Sequence, residues 1–270
     1  MKDAVATLRE QWDALPELDL LVPAKLTDEN FAVVLAGRED SMNGYFCGEL
    51  PLVVAQFKEA AQKEIMKQAR QETGLVTSLT IYRPPAEFSA AAAEIAKSYR
   101  GDIEKMNEVL FGTAVGAETE IEFGRYRRAR AKDLHCDNYP VSVENVGALF
   151  YTARVGALPT MCILGRDERD ATPDIRALIE HAKDGFSEVG ANARRDLFEQ
   201  KILVPAELGD VTLMRGKPDV GFTHARISAE EEKLGTWHCS SFVPRGGAYS
   251  AFFRAVAYCK RYANSPGVQG

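Results

Sequence analysis

Beyond Gly116 the hydrophobic period of the chain shortens toward two. Short strand-like runs then follow one another at 120–128, 145–155, 159–164, 210–215, 222–227 and 236–243. This half of the chain reads as mostly β. One helical insertion interrupts it, starting near Pro173, carrying Ile175, Leu178, Ile179 and Ala182 on one stripe, and running through a polar stretch to Phe198. A last apolar-rich segment, 249–262, reads as a helix that returns to cover the sheet.

The first half has a different texture. Pro16, Pro23, Gly37, Gly44 and Gly48 punctuate short apolar runs such as 31–35, which predicts an irregular wrap with one or two strands. From Leu52 onward Val53, Phe57, Ala61, Ile65 and Ala69 recur every fourth residue before Gly74, the pattern of an amphipathic helix. After Pro84 and Pro85 a second helical stripe carries Phe88, Ala92, Ile95 and Tyr99, is interrupted at Gly101, and resumes with Ile103, Met106, Val109 and Leu110. With no internal repeat or linker, the expectation is one domain over 1–270. A wrap and bracing helices fill 1–115, a β core fills 116–245 with its insertion at 166–205, and a helix fills 246–270.

Composition narrows the function classes. Across 270 residues, 46% are hydrophobic and 27% charged, enough for one large core. The 33 Lys and Arg against 39 Asp and Glu leave a net charge of -6, so no overall field draws in a phosphate backbone or an anionic membrane. No run approaches the roughly 20 apolar residues of a spanning helix, and the start lacks an apolar leader core. The expectation is a cytoplasmic protein with a small-molecule substrate and neither nucleic acid nor membrane as partner; nothing specifies an oligomeric state. Five scattered cysteines, an odd number without a C-x-x-C pair, read as reduced thiols. Phosphate-loop and dinucleotide fingerprints, G-x-S-x-G and H-E-x-x-H are all absent.

Four histidines, His135, His181, His224 and His238, make the search for chemistry short. His135 and Asp137 stand two apart, so on a strand they face the same side. Gly209 and Asp210 then open a strand closed by Gly216, and His224 follows. Two imidazoles and one carboxylate on one octahedral face leave three positions open, which suits non-haem Fe(II). The bland alternative is a surface ion pair of His135 with Asp137 and a packed His224. Cys136, between the pair, points the other way, and His181 lies in a solvated helix.

In this order of motifs, over residues 118–245, the chain resembles the Fe(II)/2-oxoglutarate-dependent dioxygenase superfamily. Its members carry His-x-Asp on an early strand of a double-stranded β-helix and a distal histidine near the end of that core. The resemblance implies a mainly β fold with flanking helices and a jelly-roll, cupin-like core. It implies Fe(II), 2-oxoglutarate and O2 as cofactors, and His135, Asp137 and His224 as metal ligands and catalytic residues. Because halogenating members lack the carboxylate ligand, Asp137 points to hydroxylation or a related oxidation. Members also place an arginine about a dozen residues past the distal histidine to grip the far carboxylate of 2-oxoglutarate. Here 235–240 holds none. Arg245 is favoured, with Arg226 and Arg154 as alternatives. His238 is open to three readings: a packed or hydrogen-bonded histidine beside Trp237, a hydrogen bond to the cosubstrate, or the distal ligand itself.

Arg125, Tyr126 and Arg127 begin the one dense basic run, 125–130, a candidate mouth for a carboxylate-bearing small molecule or, equally, a charged strand edge. The insertion is expected as a lid over the metal. Bacterial hydroxylases of free amino acids are loosely similar in size and motif. Two rivals stand beside this reading. One is a cupin-like protein holding zinc or manganese with His135, His224 and His238, for hydrolysis or isomerisation without 2-oxoglutarate. The other is a non-catalytic small-molecule-binding β protein.

Overall fold

The structure, a computed structural model, describes residues 2–39, 51–72, 87–112, 118–126, 134–140, 145–163, 172–185, 187–219 and 235–260. Helix α1 (Lys2–Asp13) buries Leu8 and Trp12 one turn apart, and the Trp12 indole N–H donates to the Ala24 carbonyl at 2.9 Å. Strand β1 (Leu21–Pro23) leads to α2 (Asp28–Glu39), whose first turn carries Asp28 and Glu29 against the positive end of the helix dipole. Strand β2 (Leu52–Phe57) passes at Lys58 into α3 (Glu59–Glu72). Helix α4 (Ala90–Phe111) is capped by the Ser89 hydroxyl, which accepts from the Ala92 amide, and ends at Gly112, whose φ of 70° only glycine adopts cheaply.

The strands β3 (Glu118–Tyr126), β4 (Asn138–Pro140), β5 (Asn145–Gly156) and β6 (Thr160–Ile163) come next. Helices α5 (Pro173–Ala182) and α6 (Glu188–Glu199) precede β7 (Leu203–Pro205), β8 (Asp210–Arg215), β9 (Lys217–Asp219), β10 (His238–Ser240) and β11 (Ala248–Lys260). A wide, wholly antiparallel sheet has the order β1-β2-β8-β5-β11-β3. A narrow antiparallel sheet has the order β10-β6-β7, and β4 pairs in parallel with β9.

Alternation along the long strands separates two faces. Leu149, Tyr151 and Ala153 of β5, Ala251, Phe253 and Ala255 of β11, and Ile121 and Phe123 of β3 pack with α1–α4 in the main core. There Phe253 meets Phe57 and Tyr99 at ring-centroid distances of 4.8 and 5.1 Å. The opposite face sends Ala148, Phe150, Met214 and Val256 against Cys162 of β6, so the wide and narrow sheets face each other. Behind the narrow sheet Leu134, Met161, Ile163, Leu203 and Cys239 pack on Ile179, Ala182, Ala193 and Leu197 of α5 and α6. The fold is therefore mixed α/β, with six helices and two facing antiparallel sheets among the described residues.

Several expectations need correction. The segment expected as a C-terminal helix, 246–270, contains β11, an inner strand of the wide sheet, so the β core extends past 245 to Lys260. Its apolar run does not alternate because both faces are covered, which is the situation that makes strand and helix look alike. Leu52–Phe57 is a strand, not the first turns of a helix; its spacing of four with α3 bridges an element boundary. The N-terminal wrap contains two helices, and the run 31–35 belongs to one of them. Gly101 does not interrupt α4, which is continuous. The insertion helices α5 and α6 cover the back of the narrow sheet, so their described part braces that sheet and is no lid. The strand expected at 222–227 lies outside the described residues. No described helix is long and apolar enough to cross a membrane.

Candidate metal centre

His135 and His238 are neighbours across an antiparallel bridge. The His135 amide donates to the His238 carbonyl at 3.0 Å and the His238 amide to the His135 carbonyl at 2.9 Å. Such a directly paired couple presents both side chains on one face. The rings accordingly stand 4.5 Å apart between centroids, at 52°. Their neighbours Leu134 and Cys239 point the other way, into the core under α5 and α6, so strand alternation turns both imidazoles toward the wide sheet. Asp137 adds its carboxylate, with Oδ2 3.6 Å from His238 Nε2. One ligand atom from each of His135, Asp137 and His238 lies within 4.8 Å of the others, a group able to hold a metal ion.

The surroundings prepare these donors. His238 is 6% exposed, and its Nδ1–H donates to the Thr236 carbonyl at 3.0 Å, which leaves the Nε2 lone pair facing Asp137 and His135. Thr236 is itself clasped to the end of β8, its amide donating to the Arg215 carbonyl and its hydroxyl accepting from the Arg215 amide. Asp137 Oδ1 accepts from the Arg254 guanidinium at 3.2 Å, and Arg254 also pairs with Glu120. Cys162 stands opposite His238 in the β6–β10 register, but burial, followed by the neighbouring Cys239, pushes its thiol up to about 12, so it stays protonated beside the imidazoles.

The donor set fits a divalent transition metal: two imidazoles and one carboxylate, partly or fully buried, with the orientation of at least one imidazole fixed by a backbone carbonyl. His224, Arg226 and Arg127 lie outside the described residues. Arg245 is exposed in the turn between β10 and β11. Arg154 instead turns into the space between the sheets, its guanidinium over Phe252 at 4.9 Å and Tyr126 at 5.9 Å, with Nη1 3.4 Å from the Tyr126 hydroxyl. Its Nε is buried without a hydrogen bond. Arg125 takes the other face of β3 and lies over the Tyr249 ring at 5.1 Å, so Arg125 and Tyr126 do not act on one surface.

Three residues at the site escaped the sequence. Arg254 lies on β11, whose apolar pattern reads as a helix and so gives no strand face for it. Glu120 is its direct cross-strand partner, a pairing that depends on register. Thr236 contributes a carbonyl, for which sequence carries no signal. A cleft at the edge of the wide sheet, lined by Val22, Val53, Gln56, Lys58 and Asp210 among others, shares no residue with the metal group. No protein-family model matches this chain, and no curated protein is detectably similar to it.

Proposed function

We propose that the protein is an Fe(II)- and 2-oxoglutarate-dependent oxygenase of a small molecule, with His135, Asp137 and His238 as the metal ligands. The observation that carries this proposal is the meeting of a His-x-Asp pair and a later histidine on one face of adjacent β segments. His238 supplies the distal imidazole because it is the one that the described fold brings against His135 and Asp137. The double-stranded β-helix belongs to the same proposal. Two facing antiparallel sheets, with the chain crossing between them from β5 to β6, from β7 to β8 and from β10 to β11, support that architecture. A reducing, cytoplasmic setting belongs to the same proposal, supported by the buried free thiol of Cys162.

Fe(II) bound with 2-oxoglutarate and O2 supplies the oxidising chemistry, in which the keto acid leaves as succinate and CO2 while one oxygen atom is inserted into a C–H bond. The chain does the holding. The Thr236 carbonyl keeps His238 in the tautomer that offers Nε2 to the metal. Arg154 is the residue proposed for the far carboxylate of 2-oxoglutarate: it faces the interior, is backed by aromatic rings, and has no carboxylate partner among the described residues. In register Phe252 pairs with Arg154 and Arg254 with Thr152, so Arg154 lies two residues, about 7 Å, along the sheet from the level of the metal group. The carbon chain of 2-oxoglutarate covers roughly 5 Å of that on standard bond lengths, and a guanidinium fork supplies the rest. Phe150, Met214 and Val256 line the interior with apolar surface, which keeps water from the oxidising centre. The acidic net charge favours a small substrate, such as an amino acid or another carboxylate-bearing metabolite, over a polyanion.

The test is an anaerobic titration with Fe(II) and then 2-oxoglutarate, followed by the weak visible charge-transfer band of the chelated pair. The band is expected in the wild type, lost in His135→Ala, Asp137→Ala and His238→Ala, and shifted to higher 2-oxoglutarate concentration in Arg154→Ala. Tight metal binding without a band would sink the oxygenase and leave a metal-dependent hydrolase or isomerase; no metal binding would leave a binding protein.

A further inference from the structure

Arg254 stands on the interior face of β11, directly across from Glu120 on β3 and from Thr152 on β5. Its guanidinium bridges two carboxylates, pairing with Glu120 through Nη2 and donating to Asp137 Oδ1 through Nη1 at 3.2 Å. Its carbon Cζ lies 5.6 Å from the centre of the Phe150 ring. Both members of the Arg254–Asp137 contact are largely withdrawn from water, the side chains being 24% and 11% exposed. The two oxygens of Asp137 are thereby divided. Oδ1 is turned to Arg254, and Oδ2 to His238 Nε2.

That division has a chemical consequence. A carboxylate can grip a cation through one oxygen or both, and the second grip uses up a coordination position. We propose that Arg254, braced by Glu120, is a positioning residue that holds Asp137 so that it would offer a metal one oxygen rather than two. The proposal rests on the metal-centre assignment above. The planar fork matters here, because one guanidinium reaches two carboxylates at a fixed angle while an ammonium acts as a point charge. Glu120 and Arg254 cancel, so the centre keeps the single negative charge of Asp137 despite a second nearby carboxylate.

Co(II) is the probe, since its d–d spectrum reports coordination number without turnover. The full-length apo-protein is titrated with Co(II) in the wild type, Arg254→Gln and Glu120→Gln, with near-UV circular dichroism as a folding control. Arg254→Gln is expected to weaken Co(II) binding by about 10- to 100-fold, the usual effect of losing a group that orients a ligand, and to alter the d–d spectrum. Glu120→Gln, which keeps the guanidinium but loosens its brace, is expected to move both readouts less and in the same direction. Arg254→Gln with wild-type affinity and spectrum would overturn the proposal. So would an unchanged Co(II) centre with 2-oxoglutarate affinity lost, which would make Arg254 a cosubstrate clamp. If Arg254→Gln does not fold, Glu120→Gln decides: a changed spectrum supports positioning and an unchanged one overturns it. Failure of the wild type itself to bind Co(II) would remove the metal centre, and this proposal with it, before any variant is read.

Discussion

The two facing sheets are held in different ways. In the wide sheet β5 and β11 run for 12 and 13 residues, and much of both faces is packed, one against the core with α1–α4 and the other against the narrow sheet. The narrow sheet has strands of three and four residues, and its outer face depends on α5 and α6. Yet His238 lies on the narrow sheet and His135 is bridged to it. On the proposed assignment the metal donors gather at the layer of shorter strands, and that layer is expected to open locally at lower cost than global unfolding.

The comparison can be broken most forcefully in the wide sheet. Phe253 is fully buried against Phe57 and Tyr99, so Phe253→Ala is expected to cost about 3–5 kcal/mol in urea unfolding while leaving metal affinity of the folded protein unchanged. A parallel fall in metal affinity would show that the layers are not separable. Leu197→Ala, in the cluster behind the narrow sheet, is expected to cost about 3 kcal/mol and, unlike Phe253→Ala, to weaken Co(II) binding as well. Equal affinity in the two variants would remove the distinction.

Metal itself sharpens the contrast. Co(II) at a hundred times its dissociation constant is expected to stabilise the folded state by about 2.7 kcal/mol in the wild type. In Asp137→Ala and His135→Ala that gain disappears in a thermal-shift measurement. A gain that survives both substitutions would place the metal elsewhere.

Legibility in the sequence cuts across that division, since the strands read and the strand missed lie mostly in the wide sheet. Strand alternation and β-branched or aromatic content placed β3, β5, β6 and β8 within a few residues of their bounds, and 210–215 at its bounds. The same reading failed on β11, a run covered on both faces in which Ala248, Ala251, Ala255 and Ala257, good helix formers, make strand and helix look alike. At the site, His135 and Asp137 were legible as a spacing of two. The approach of His238 to them was not, because it depends on the bridge that pairs His135 with β10, a register that local pattern does not encode. Arg254 and Glu120 meet for the same kind of reason, 134 residues apart in sequence.

A smaller effect joins the bracing helices to the donor strand. Lys183, just past α5, sets its ammonium 4.5 Å from the centre of the Trp237 ring, and Trp237 immediately precedes His238. Lys183→Ala is expected to cost about 0.5–1 kcal/mol and to change tryptophan fluorescence. Metal affinity should shift less than in Leu197→Ala; a larger shift would make this contact, rather than the apolar cluster, the main brace of His238.

The smallest expected effect is at Cys162, where the facing sheets meet. Its thiol lies in the apolar cluster with Phe150 and Met214, opposite His238, and burial pushes its pKa from 9.0 up to about 12. A raised pKa means that the folded protein holds this proton more tightly than the unfolded chain. The linked contribution to stability is therefore intact below pH 9 and is lost as pH climbs through about 12. At pH 8 unfolding free energy should not respond to small pH changes through this group, and a thiol reagent should label Cys162 only as fast as the sheets separate. If opening is confined to the narrow layer, labelling of Cys162 speeds up in Leu197→Ala more than equal global destabilisation by Phe253→Ala would produce. Equal labelling rates at matched stability would mean that the sheets open together, and the separation between the stable layer and the donor layer would fail.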